Sequence, residues 1–198
     1  MIIESLQNEK IKNLNRLITD NRFRKKSGVF VVEGKQENER ALQFGFENIE
    51  FYICENIFGI NHPEGKIHFV SSQVYEKLAY RESSEGIIGI YKTKEFNLNE
   101  FSPEENASVI VVESVEKPGN LGAILRSCEA FGIDALIVTD TKVDFYNPNV
   151  LRSSVGCFFG MNVFSASNEE TLAFLQKNNF KIYTTLMDES AEDIYKKN

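Results

Sequence analysis

The feature that most constrains this chain is the rhythm of its second half, where short apolar runs alternate with helix-length amphipathic segments. Val109-Ile-Val-Val-Glu113 is a continuous apolar run, the pattern of a strand covered on both faces in a parallel sheet. A helix is expected from Leu121 to Phe131, closed by Gly132. Strand Ala135–Val138, helix Pro148–Phe159, a short strand near Val163, helix Asn168–Asn178 and a strand from Lys181 to Met187 follow. A βαβαβαβ order of this kind predicts a parallel sheet with helices packed on its faces.

The first half reads differently. Leu6, Ile11, Leu14, Leu17 and Ile18 recur at helical spacing over residues 5–20. A basic turn leads to strand Val29–Glu33, ended by Gly34. A helix over 36–44, strand Ile49–Ile53, a short strand at His68–Val70, a helix from Ser72 to Ala79 and strand Ile87–Tyr91 complete a compact α/β unit. Residues 93–107, polar and carrying Pro103, read as a linker. The domain reading is therefore 1–93, linker 94–107, and 108–198.

Charge sharpens the functional question. The net charge of −7 argues against gripping nucleic acid by bulk electrostatics. Between Lys10 and Lys26, however, seven basic side chains face the single acid Asp20, whereas from Phe101 onward eight basic residues are outnumbered by fourteen acidic ones. A local anion-binding surface on an acidic body is one reading of that asymmetry; a solvated helix face and turn is the other. Cys54, Cys128 and Cys157 are odd in number and widely spaced, and no basic-then-apolar leader opens the chain, which points to reduced thiols in a cytosol. No apolar run is long enough to span a bilayer. With only His62 and His68 as histidines, no zinc-type ligand set assembles, so no metal is expected.

The segment ESVEKPGNLGAILRSCEAFGIDALIV, Glu113–Val138, carries the chemistry. Its loop Pro118–Gly122 joins a strand to a helix, and in open parallel sheets ligands bind where such loops gather. Asn120 reads as the helix N-cap. Leu121, Ile124, Leu125, Cys128 and Phe131 form the expected buried stripe, and Arg126 lies roughly 140° from Leu121 on the helical wheel, off the core. Neither GxGxxG nor GxxxxGK[ST] is present, which removes the nicotinamide and P-loop readings. The GxxG at Gly119–Gly122 matches a KH loop only formally, because Glu113 and Glu116 stand beside it.

This segment resembles the first signature motif of the SpoU (TrmH) family of the SPOUT superfamily, through Pro118, Asn120, Gly122, Ala123, Arg126, Ser127, Phe131 and Gly132. Asn147-Pro-Asn-Val-Leu-Arg-Ser-Ser-Val-Gly156 is similar to the helix that follows in that family. SLQNEKIKNLNRL, FRKKSGVFVVEG and RESSEGIIGIYK are similar to its small substrate-binding domain, which resembles RNA-binding ribosomal proteins. The resemblance implies an S-adenosylmethionine-dependent methyltransferase acting on a ribose 2′-hydroxyl of rRNA or tRNA, usually a homodimer with a trefoil knot. By position it implies Asn120 and Arg126 at the catalytic site, and Arg22, Arg24, Lys25, Lys26 and Arg81 as RNA contacts. Thr184, Thr185 and Leu186 would line the first wall of the cofactor pocket. Arginine is effectively always protonated, so Arg126 is expected to orient the hydroxyl and stabilise alkoxide charge rather than remove the proton.

Two departures stand out. The motif's opening aspartates are replaced by Glu113 and by Glu116 or Lys117, depending on register. The family's G-x-E and S-L-N segments, which build the knot and most of the cofactor pocket, have no counterpart before Asn198. The chain as it stands is therefore expected to bind S-adenosylmethionine poorly, and a shortened, non-catalytic RNA-binding module is the alternative reading.

Overall fold

The structure, a computed structural model, describes residues 2–79 and 85–185. The first unit comprises β1 (Ile2–Ile3), α1 (Glu9–Thr19), α2 (Asn21–Ser27), β2 (Val29–Glu33), α3 (Lys35–Gln43), β3 (Asn48–Ile53), α4 (Glu55–Phe58), β4 (Ile67–Val70), α5 (Ser72–Leu78) and β5 (Ile87–Lys92). Its sheet runs β1-β4-β3-β5-β2. The β1–β4 and β4–β3 pairs are parallel, and β5 runs antiparallel to both its neighbours. The second unit comprises β6 (Val109–Glu113), α6 (Pro118–Ala130), β7 (Ala135–Thr139), α7 (Pro148–Ser153), α8 (Cys157–Gly160), β8 (Asn162–Ala166) and α9 (Asn168–Lys177). Its three strands are parallel, in the order β6-β7-β8. The fold class is thus the mixed α/β arrangement expected, with a purely parallel second sheet.

Several local expectations are corrected. The basic turn is the helix α2, started by the Asp20 carboxylate on the Phe23 N–H and stopped by left-handed Gly28. The helix expected over Pro148–Phe159 breaks into α7 and α8, because Val155 and Gly156 both take positive φ. Strand β6 is not covered on both faces. It is an edge strand with Ile110 and Val111 exposed, and β7 is the strand buried along its whole length. No strand forms over Lys181–Thr185, and Met187 lies outside the described residues.

Side-chain alternation on β7 shows where the helices sit. Leu136 and Val138 pack with Leu121 and Leu125 of α6 and with Val150 and Leu151 of α7. Ala135 and Ile137 face the other way, toward Phe174 and Leu175 of α9. The residues between the units are not a free tether. Phe96 packs in the core, Leu98 is buried in a 3₁₀ turn (Leu98–Glu100), and Phe101 lies against Phe164 and Phe174. Spacing of apolar residues in a polar segment too short for periodicity hides such anchors from a sequence reading.

The two units share one core. Phe30 and Phe46 of the first meet Tyr146, Phe158 and Phe159 of the second, with ring centroids 4.3 Å apart for Phe30–Tyr146 and 5.0 Å for Phe46–Phe159. The Tyr146 hydroxyl accepts from the Lys94 N–H at 2.8 Å and donates to the Lys94 carbonyl at 2.7 Å, tying the ring to the connecting chain. Because α7 and α8 of the second unit cover the apolar face of the first sheet here, Phe159→Ala is expected to cost about 3–5 kcal/mol. Urea unfolding followed by tyrosine fluorescence and by circular dichroism should give one coincident transition rather than two, in both the parent and the variant.

A polar cluster braces the far side of the first sheet. Glu50 accepts from Tyr52 at 2.8 Å, from His68 at 2.9 Å and from Lys66 at 2.8 Å. Burial would raise the Glu50 pKa, but hydrogen bonds from Lys66, His68 and Tyr52 override it and bring it down to about 2. A carboxylate with a depressed folded-state pKa stabilises the fold above its unfolded value and loses that contribution as pH falls through the folded one. The stability gap between the parent and Glu50→Gln should therefore be constant above about pH 4.5 and close as pH drops toward about 2, measured by denaturant unfolding at each pH.

Candidate functional site

The carboxyl end of the parallel sheet is built from three staples. The Ser114 hydroxyl donates to Asp140 at 2.9 Å, Lys142 reaches Glu116 at 2.9 Å, and the Asn168 amide donates to Glu113 at 2.9 Å. Ser114 and Asp140, at the ends of β6 and β7, both hold left-handed backbone, with φ of 52° and 47°. Non-glycine residues rarely adopt that region, and such strain concentrates at functional sites. Glu113 and Glu116 are thus both used to bind neighbouring strand-end loops together.

The motif's loop then turns into α6. Its N-cap is Lys117, with Pro118 in the first turn and no side-chain cap, so Asn120 is not the cap that its residue type suggested. Asn120 instead lies inside the first turn, exposed, with its amide making no hydrogen bond among the described residues. Gly122 is there for close approach. A Cβ at this position would fall 1.9 Å from the Ser153 hydroxyl and 2.7 Å from the Ser154 nitrogen, so only glycine lets α6 lie against α7. Phe131 is not part of the buried stripe: it is 83% exposed, and with Ile110, Ile124 and Ile133 it lines a shallow apolar depression of about 490 Å³.

Arg126 is exposed, as its place on the wheel indicated, and makes no hydrogen bond or ion pair among the described residues. It sits roughly 12 Å along α6 from the first residue of the helix, and six residues from Asn120 turn it roughly 120° away. The structure therefore does not bring Asn120 and Arg126 to one point within a single chain; only Asn120 stands at the strand ends. Thr184 and Thr185 are exposed and belong to no strand. Leu186 and Arg81 lie outside the described residues. For S-adenosylmethionine, the strand ends offer the Thr139 and Thr141 hydroxyls, buried and without a hydrogen-bond partner among the described residues.

The basic segment divides. Arg24 is only 2% exposed, and its guanidinium binds Asp144 through Nε at 2.9 Å and through Nη2 at 2.8 Å. Its Nη1 donates to the Leu17 carbonyl at 2.8 Å and to that of Ile18 at 3.1 Å. Every donor direction is used internally, so Arg24 is a structural residue and not an RNA contact. Arg22, Lys25 and Lys26 are exposed. Lys25 borders a cleft of about 250 Å³ beside the strand ends, with Lys94, Thr141 and Tyr146. The local signal that sorts these cations is missing from sequence, because Asp144 lies 120 positions from Arg24.

Among the described residues no cluster of metal-binding side chains forms, and none of the helices is long and apolar enough to cross a membrane.

Residues 107–198 match the model of the SpoU rRNA Methylase family, and residues 8–89 match that of the MRM3-like substrate binding domain. A solved RNA 2′-O ribose methyltransferase superposes with a TM-score of 0.80 at 36% identity, over 90% of this chain and 70% of that one. The chain belongs to the SpoU rRNA methylase family. A curated relative from Bacillus subtilis, the 23S rRNA (guanosine(2553)-2′-O)-methyltransferase RlmP, is 26% identical over 96% of this chain and 75% of its own length. The human mitochondrial rRNA methyltransferase 3 is 25% identical over 82% of this chain, which spans 41% of that protein. An AdoMet-bound rRNA methyltransferase from Sinorhizobium meliloti shares the fold, with a TM-score of 0.78 at 21% identity.

Arg24→Ala strands the Asp144 carboxylate in the interior and is expected to cost about 3–5 kcal/mol in denaturant unfolding. Lys25→Ala, one residue away and exposed, should change stability by less than about 0.5 kcal/mol.

Proposed function

We propose that this chain provides the RNA-binding and catalytic parts of a methyltransferase that modifies a ribose 2′-hydroxyl of rRNA or tRNA. The observation that carries the reading is the motif helix α6, with the Asn120 and Arg126 side chains both exposed and both without a partner among the described residues. Motif side chains held ready but unengaged suit groups whose partner is a ligand. S-adenosylmethionine, the family's cofactor, supplies the methyl group; the residues assigned here act on the RNA.

In this reading Arg126 hydrogen-bonds the 2′-hydroxyl and stabilises the charge that develops on its oxygen. Its permanent charge makes it a poor base, so the proton leaves to a phosphate oxygen or to water. Arg22, Lys25 and Lys26 hold the backbone phosphates, Lys25 from the edge of the strand-end cleft. A homodimer in the cytosol completes the proposal. The free, buried Cys54, Cys128 and Cys157 support a reducing compartment, and the exposed apolar group around Phe131 supports a contact surface.

Methyl transfer to RNA by the full-length protein tests the reading directly. Arg126→Lys keeps the charge but loses the planar fork, and is expected to lower kcat by about ten-fold or more with little change in RNA affinity. Near-parental turnover would remove the guanidinium from the mechanism. Alanines at Arg22, Lys25 and Lys26 together should weaken RNA binding and reduce the slope of log K against log salt by about 0.7 for each contact with single-stranded RNA. An unchanged slope would assign RNA binding to another surface.

A further inference from the structure

Arg126 has a natural partner that it does not use. Glu129 lies three residues on along α6, and residues at that spacing are surface neighbours, with Cβ atoms about 5–6 Å apart. An arginine and a glutamate so placed ordinarily share an ion pair. Here the carboxylate is taken from elsewhere: Arg40, on α3 of the first unit, reaches across the junction and pairs with Glu129 through Nη2. The Arg40 Nε donates to the Gly156 carbonyl at 3.0 Å, at the positive-φ break between α7 and α8, and its guanidinium lies over the Phe44 ring, 5.5 Å from the centroid. Cys157 of α8 places a buried thiol beside the same carboxylate. Its pKa is pushed up to about 11, by burial first and then by Glu129, so it stays neutral and adds no charge to the cluster. Arg40 and, more weakly, Arg126 both lie near enough to that thiol to favour its ionised form.

We propose that Arg40 is a positioning residue: by holding Glu129 from the substrate-binding unit, it keeps the Arg126 guanidinium free of an ion-pair partner and available to the ribose. The arrangement also makes the state of Arg126 depend on how the two units dock, since Arg40 and Arg126 come from opposite sides of the junction. Remove the Arg40 charge, and Glu129 swings to its helical neighbour, occupying Arg126 and cancelling the positive charge that would stabilise the developing alkoxide. The consequence for turnover rests on the methyl-transfer reading given above; the pairing itself does not.

The test uses the full-length protein with ¹⁵N-labelled arginine and follows the Arg126 Nε–Hε resonance, assigned by its loss in Arg126→Lys. Arg40→Met keeps an alkyl stem against Gly156 and removes the charge. In this variant the Arg126 resonance is expected to shift and its hydrogen exchange to slow, while kcat falls by about three- to ten-fold and KM for S-adenosylmethionine stays unchanged. In Arg40→Met/Glu129→Gln both the resonance and kcat should return to parental values, and Glu129→Gln alone should match the parent. A kcat loss that persists in the double variant would reduce Arg40 to a fastener between units, and an unshifted Arg126 resonance in Arg40→Met would overturn the proposal outright. Should Arg40→Met fail to fold, Arg40→Gln, which still donates to the Gly156 carbonyl, carries the same expectations. If the parent methylates no RNA, the methyl-transfer reading fails while the resonance still decides the pairing.

Discussion

Everything in this molecule depends on the aromatic contact that joins its two units. Phe30 and Phe46 on one side and Tyr146, Phe158 and Phe159 on the other bury faces that neither unit could leave in water. Non-directional burial supplies most of the holding energy, but it does not by itself choose an orientation. Directional groups do that: the Tyr146 hydroxyl gripping both polar groups of Lys94, and Arg24 saturated by Asp144 and two carbonyls. Both span the junction, and both are shielded from solvent, so their geometry is specified more tightly than a surface ion pair's would be.

This junction changes the meaning of the charged residues around it. A basic segment that looks uniform along the chain is split by burial: Arg24 turns inward to hold the strand-end loop, and Arg22, Lys25 and Lys26 remain outside. Arg40 and Glu129 form a second link across the same junction, through a carbonyl that the break at Gly156 exposes. A buried structural arginine and exposed cations therefore share one short stretch of sequence, distinguished only by a partner far along the chain.

At the strand ends, rigidity is concentrated where the motif begins. Left-handed Ser114 and Asp140 are tied to each other, Glu116 to Lys142 and Glu113 to Asn168. This fixes the start of α6, and Gly122 fixes its approach to α7 to within less than a methyl group's width. Against that frame Asn120 and Arg126 are left unengaged, on different sides of the helix.

The sequence by itself determined the α/β class, the parallel second sheet, the place of the motif helix and the outward direction of Arg126. These follow from periodicity and from residue types whose preferences act over a few positions. The family was legible for the same reason, because Pro118, Asn120, Gly122 and Arg126 sit at fixed local spacing. Only the tertiary structure decided that β6 is an edge, that Phe131 faces solvent, that Asn120 is free of capping, and that Arg24 is buried while Lys25 is not. Each of those depends on what packs against a residue from far along the chain. A local pattern carries no record of a partner 120 positions away, such as Asp144 for Arg24.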